Sequence, residues 1–190
     1  MKSLIKFFHT VPGAVVFTLL ILSIPLIAMQ FTSEVNWSVG DFIIMGILIF
    51  STALAYVLIS RYAPNFIYRA AIGAAIGTTF LMVWANLAVG LIGAGPHAGN
   101  LMYIGVVAVV IMGTYFSRFT AKGMELAMFG AAFSLVLLAG IALLANMQAL
   151  PGSSVAEIIA VNAFFAFLYC IGGLLFRYVA LHQSQDKTEG

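Results

Sequence analysis

Six runs of roughly twenty mostly apolar residues, parted by short stretches that hold nearly all of the charge, restrict this chain more than any motif in it. A run of that length covers the roughly 30 Å of a bilayer's hydrocarbon. Inside hydrocarbon, a helix satisfies its own backbone hydrogen bonds and an open strand does not. The expected fold is therefore all-α: a polytopic membrane bundle of six transmembrane helices. The spans fall at about residues 11–30, 41–60, 70–95, 101–117, 124–146 and 155–176. Composition agrees, at 63% hydrophobic and 7% charged, where a soluble domain carries about 25% charge. Such short loops leave room for one transmembrane domain over residues 1–182 and for no soluble domain. Residues 183–190 read as a polar, disordered tail.

The chain opens with MKSLIKFFHT, in which Lys2 and Lys6 flank Leu4, Ile5, Phe7 and Phe8. This reads as a short amphipathic piece at the membrane interface. Thr10 and Pro12 are helix-start residues for the first span, and Pro25 predicts a kink inside it. No small-x-small cleavage site follows the span, so it is expected to be retained rather than removed as a signal peptide.

The basic residues orient the bundle. Lys2, Lys6, Arg61, Arg69, Arg118, Lys122, Arg177 and Lys187 are all of them, and with six spans every one falls on the same side. The opposite loops hold Glu34, Asp41, His97 and Glu157 and no Lys or Arg. By the positive-inside rule both termini are expected in the cytoplasm. The even-numbered spans end in Ser60-Arg61-Tyr62, Ser117-Arg118-Phe119 and Phe176-Arg177-Tyr178. That leaves two readings open: a threefold hairpin repeat, or three helices of equal length with an inner Arg and an interfacial aromatic.

In lipid, small and polar residues mark the helix faces that touch protein. On the third span Ala75, Thr79, Asn86, Gly90 and Gly93 share one face, and Gly73, Gly77 and Trp84 share the opposite one. The expectation is a central third helix, with Gly73, Gly77, Trp84 and Gly90 as packing positions. The fifth span offers a smooth stripe of Ala132, Ala139, Ala142 and Asn146, and the sixth one of Asn162, Ala166, Tyr169 and Gly173.

Much catalytic chemistry is excluded. No charged residue or histidine stands near the middle of any span, where proton relays and voltage sensors usually place one. No intramembrane lysine is present for a Schiff base, and no facing histidines for haem. The lone Cys170 makes neither an internal disulfide nor a cysteine zinc site. There is no phosphate-binding loop, and the scattered basic residues do not suit nucleic acid. No catalytic set, metal or cofactor is indicated.

Polar residues in or beside the spans cluster instead at the end opposite the basic residues. Asn86, Asn100 and Asn162, with Asp41 or Glu157 at the rim, are the expected lining of an outward-facing polar vestibule. Without a basic group nearby, a neutral or cationic ligand fits better than an anion. The competing reading is that these amides only join helix to helix, at about 0.6 kcal/mol each.

MVWANLAVGLIG, Met82 to Gly93, followed by NLMYIGVVAVVIMG, Asn100 to Gly113, resembles a group of uncharacterised small bacterial inner-membrane proteins with similar VW-x-NLAVG and NLMY-x-GV segments. The resemblance covers roughly residues 70–145. It implies a bacterial inner-membrane location and brings no activity, cofactor or catalytic residue. The expected function is a non-enzymatic membrane protein handling a small neutral or cationic solute or lipid. The alternatives are an accessory or assembly subunit of a membrane complex and, third, a membrane enzyme. The bilayer is the expected surrounding, with a partner membrane protein or a second copy of the chain as possible company.

Overall fold

A computed structural model describes residues 10–95 and 97–186. The stretch read as interfacial therefore lies, Thr10 apart, outside the described residues, as do Pro96 and the last four residues of the tail. Among the described residues every regular element is helical. The helices are α1 (Val11–Phe31), α2 (Val39–Ile59), α3 (Phe66–Ala88), α4 (Met102–Phe116), α5 (Ala121–Leu144) and α6 (Val155–Asp186). Six segments are long and apolar enough to cross a membrane, which makes this a multi-pass membrane chain.

The helix starts follow from capping. Thr10 Oγ1 accepts from Gly13 N, Asn65 Oδ1 from Tyr68 N, and Thr120 Oγ1 from Gly123 N. Ser38 and Asp41 form a capping box at α2: Asp41 N donates to Ser38 Oγ at 3.2 Å, and Ser38 N donates to Asp41 Oδ2 at 2.7 Å. Two ends differ from the spans read in the sequence. The third helix stops at Ala88 rather than near Gly95, because Gly90, Gly93 and Gly95 all take positive φ and turn the chain out of the helix. The sixth helix runs on past Phe176 to Asp186, so half of the tail read as disordered continues it.

The chain divides into two compact units, one up to Arg61 and one from Tyr62 onward. The first is the α1–α2 hairpin. Its two helices pack along each other, with Gly46 against Leu22.

The second unit is built around α5 and α6, its most extensively packed pair. Ala121, Met124, Met128, Ala131, Leu135, Leu138 and Ala142 are all buried on α5, and their spacing alternates three and four. Ile158, Asn162, Phe165, Tyr169, Gly172, Phe176 and Val179 do the same on α6. Such an alternation is the heptad seam of a left-handed helix pair. Gly172 is the meeting point of three helices: a Cβ there would stand 3.8 Å from both Ala75 on α3 and Met128 on α5. So α6 lies between α3 and α5, while α4 packs on another face of α5. At Gly113 of α4 a Cβ would come within 2.7 Å of the Ala127 Cβ.

Within its own unit the third helix packs chiefly on α6. Tyr68, Ala71, Ile72, Ala75, Thr78 and Met82 form its buried stripe. Gly77 is exposed, with nothing within 4 Å of where a Cβ would stand, and Trp84 is 42% exposed. Gly and Ala are tolerated on lipid-facing surfaces as well as at interfaces, and the heptad spacing of larger residues on α5 and α6 decides which helices interlock.

The three aromatic-basic triplets take three different conformations. Ser60–Tyr62 is a 3-10 turn, Arg118 and Phe119 are left-handed (φ 48° and 57°), and Phe176–Tyr178 lies within α6. The left-handed pair is clamped: the Tyr62 ring stacks on Phe119 at 4.4 Å, and the Tyr68 hydroxyl donates to the Phe119 carbonyl.

Candidate functional site

The α3–α4 connection is organised by one side chain. Asn100 is 8% exposed, and all four of its hydrogen-bonding positions are used. Its Oδ1 accepts from Leu91 N at 2.9 Å and Ile92 N at 2.8 Å. Its Nδ2 donates to the carbonyls of Ile92 at 3.1 Å and Gly95 at 3.3 Å. The loop winds about this amide because three glycines let it. Gly90 has φ +76°, and a Cβ there would stand 2.6 Å from the Gly95 carbonyl and 2.9 Å from Asn100 Nδ2. The loop is also tied to the α5–α6 connection. Ala94 N donates to the Pro151 carbonyl at 2.8 Å, and Gly152, at φ +68°, leaves room for Ala94.

Asn86, in the last turn of α3, donates through Nδ2 to the Asn100 carbonyl at 3.0 Å. That contact fixes the amide's orientation, since a flipped amide would set oxygen against oxygen. Asn86 Oδ1 therefore points away from the carbonyl. It is buried and accepts no hydrogen bond from the described residues, a situation that costs roughly 1–3 kcal/mol unless a donor is supplied. His97 caps the short turn before α4. Its Nδ1 accepts from Gly99 N at 3.0 Å, so the neutral ring carries its proton on Nε2.

Consecutive α3 and α4 do not pack along each other's length. Between them, at this loop end, lies a cleft of about 770 Å³. Asn86, Asn100, His97 and Tyr103 contribute its polar groups, and apolar side chains such as Val83, Leu87, Ile104 and Val107 form its walls. None of its lining residues is Asp, Glu, Lys or Arg.

Of the five residues expected around a vestibule, the structure brings Asn86 and Asn100 together at this cleft. Asn162 stands behind it, 2% exposed, donating to its own helix at the Ile158 carbonyl and accepting from the Tyr103 hydroxyl at 3.3 Å. It is a contact between α4 and α6 rather than a lining residue. Glu157 is exposed in the first turn of α6, where its backbone N–H is capped by Ser154 Oγ, and it is not part of the cleft. Asp41 belongs to the first unit, where its carboxylate serves the capping box. Of the packing positions, Gly90 lines the cleft, Gly73 is half-buried, and Gly77 and Trp84 are exposed.

Two residues carry weight that the sequence reading did not give them. Tyr103 joins the cleft to Asn162; the signal was an aromatic with a hydroxyl in the first turn of the fourth span. Glu125 is the buried acid among the described residues of the second unit, at 5% exposure and paired with Lys122 Nζ at 3.2 Å. Its signal was the Lys-x-x-Glu spacing at a helix start. Among the described residues no group of three or more His, Cys, Asp or Glu is placed to hold a metal. No protein family, curated protein or solved structure matches the chain.

Proposed function

We propose that this chain is a non-enzymatic, multi-pass protein of the bacterial inner membrane, with both termini cytoplasmic, which takes a small uncharged or cationic solute or a lipid into the cleft between α3 and α4. The observation that carries the reading is the cleft itself. Two neighbouring helices stand apart over about 770 Å³ beside a buried amide oxygen that lacks a donor among the described residues. A volume of this size is in the range of ligand sites. The placement of all eight basic residues on one side supports the orientation, and the cleft is then on the outer face. The resemblance of residues 70–145 to small bacterial inner-membrane proteins supports the location.

A second reading, an accessory subunit that docks another membrane protein or a second copy, is favoured by the fully satisfied Asn100 and the protein-facing Asn162. Both amides act as helix and loop connectors. Topology is tested by single cysteines in a Cys170→Ala background. Ser33→Cys and Ser153→Cys are expected to react with an impermeant thiol reagent from outside intact cells, and Gln183→Cys only after permeabilisation. Labelling of Gln183→Cys from outside would overturn the orientation. Ligand against subunit is decided by native mass spectrometry of the protein purified in mild detergent, where a retained small molecule supports the first and a stoichiometric protein the second.

A further inference from the structure

We infer that the occupant of the cleft is one acyl chain of a membrane lipid whose head carries no net charge, inserted sideways from the bilayer between α3 and α4. The inference rests on the cleft being a ligand site and narrows the ligand to one class.

The walls give the first argument. Val83 and Leu87 are one turn apart on α3, and Leu101, Ile104 and Val107 follow at intervals of three on the opposite side. These ladders run from the loop toward the middle of the span for about 6 Å on α3 and about 9 Å on the opposite side, at 1.5 Å per residue. Leu87, Leu101 and Ile104 are 58%, 64% and 63% exposed, so the walls are continuous with the outer surface of an apolar helix pair. A cleft of this kind is open along its side to whatever surrounds the spans, which is hydrocarbon. A small polar solute entering there would give up its water to apolar walls. An acyl chain gives up nothing.

The polar end gives the second argument. A chain in the cleft has left surroundings that are already apolar, so the hydrophobic effect does not select it. Selection falls to the head at the loop end. Asn100 has no hydrogen-bonding position left, and no lysine, arginine, aspartate or glutamate lines the cleft. His97, with its proton on Nε2, and the second Nδ2 hydrogen of Asn86 are the side-chain donors that remain. A phosphate group with net negative charge meets no cation here, and by the sequence no Lys or Arg stands anywhere in the loops at this end. A head in which charges cancel loses nothing by that and takes one hydrogen bond from the ring.

The test uses the full chain in mild detergent, stripped of lipid and then offered equimolar phosphatidylethanolamine and phosphatidylglycerol with matched acyl chains, with bound lipid read by native mass spectrometry. Ile104→Trp places a large side chain in the cleft from an already exposed position. Ile111→Trp makes the same change on the same helix, equally exposed at 63% but outside the cleft. The expected result is one phosphatidylethanolamine retained by the wild type and by Ile111→Trp, with roughly tenfold weaker retention by Ile104→Trp and of phosphatidylglycerol by all three. Equal or stronger retention of phosphatidylglycerol overturns the inference. So does equal lipid retention by Ile104→Trp and the wild type. If in that case a polar solute, or a second copy of the chain, is lost from Ile104→Trp alone, the lipid is wrong but the cleft is still a binding site. If nothing distinguishes the two proteins, the cleft reading fails as well.

Discussion

Asn100→Ala is the most direct challenge to the geometry of the loop end. The substitution removes an acceptor shared by two backbone N–H groups and two donors to backbone carbonyls, in a side chain only 8% exposed. A protein hydrogen bond contributes about 0.5–1.5 kcal/mol net, so four of them set a ceiling of about 6 kcal/mol. Water reaches a loop at the end of a span, and some of the orphaned groups will be rehydrated. The expected loss is therefore about 2–4 kcal/mol. Unfolding by denaturing detergent in mixed micelles measures the total. Hydrogen exchange at the Leu91 and Ile92 amides locates it: both should lose protection in Asn100→Ala. Asn100→Asp keeps the acceptor for these two amides and sets a carboxylate oxygen against the carbonyls of Ile92 and Gly95. It should destabilise while leaving Leu91 and Ile92 protected. A loss below about 1 kcal/mol with unchanged exchange would refute the claim that this amide organises the connection.

Two further outcomes follow from packing and charge. Gly113→Leu, where even a Cβ would meet Ala127 at 2.7 Å, should cost on the order of 1–3 kcal/mol or more, whereas Gly77→Leu on the open face of α3 should be near neutral in thermal unfolding; equal effects would mean α3 and α4 have exchanged roles. Lys122→Ala strands the buried Glu125 carboxylate and should lower stability by about 1–3 kcal/mol, and adding Glu125→Gln should restore most of it, a coupling that a double-mutant cycle measures directly.

The apolar runs made six helices legible because period and length need no neighbours to be read. The caps were legible too: Thr10 and Pro12 stood out as a helix start, and the structure places them there. Packing order was not legible from small residues. Gly73 and Gly77 look like an interface in the sequence, but a missing side chain permits close approach without requiring it. The seam that organises the second unit lies in the alternation of three and four along α5 and α6, which mixes Ala, Met, Leu, Phe and Tyr and so hides from a search for small residues. Asn100 was singled out as polar where polarity is costly, but its role depends on four backbone groups brought round by three left-handed glycines. No spacing rule in the sequence shows whether an amide has hydrogen bonds to spare.

The position of α6 between α3 and α5 also sets the order in which the second unit is assembled. Chains are made and inserted from the N-terminus, and membrane helices form individually before they associate. The helix that α3 packs against is not synthesised until two more spans have passed into the bilayer. Meanwhile the stripe of Tyr68, Ala75, Thr78 and Met82 faces lipid, with Thr78 bonded back to the Ala74 carbonyl of its own helix. α4 and α5 have each other to pack against before α6 is made. The arrival of α6 then completes two interfaces at once, the seam with α5 and the groove beside α3, so the last helix made converts a row of neighbours into a unit.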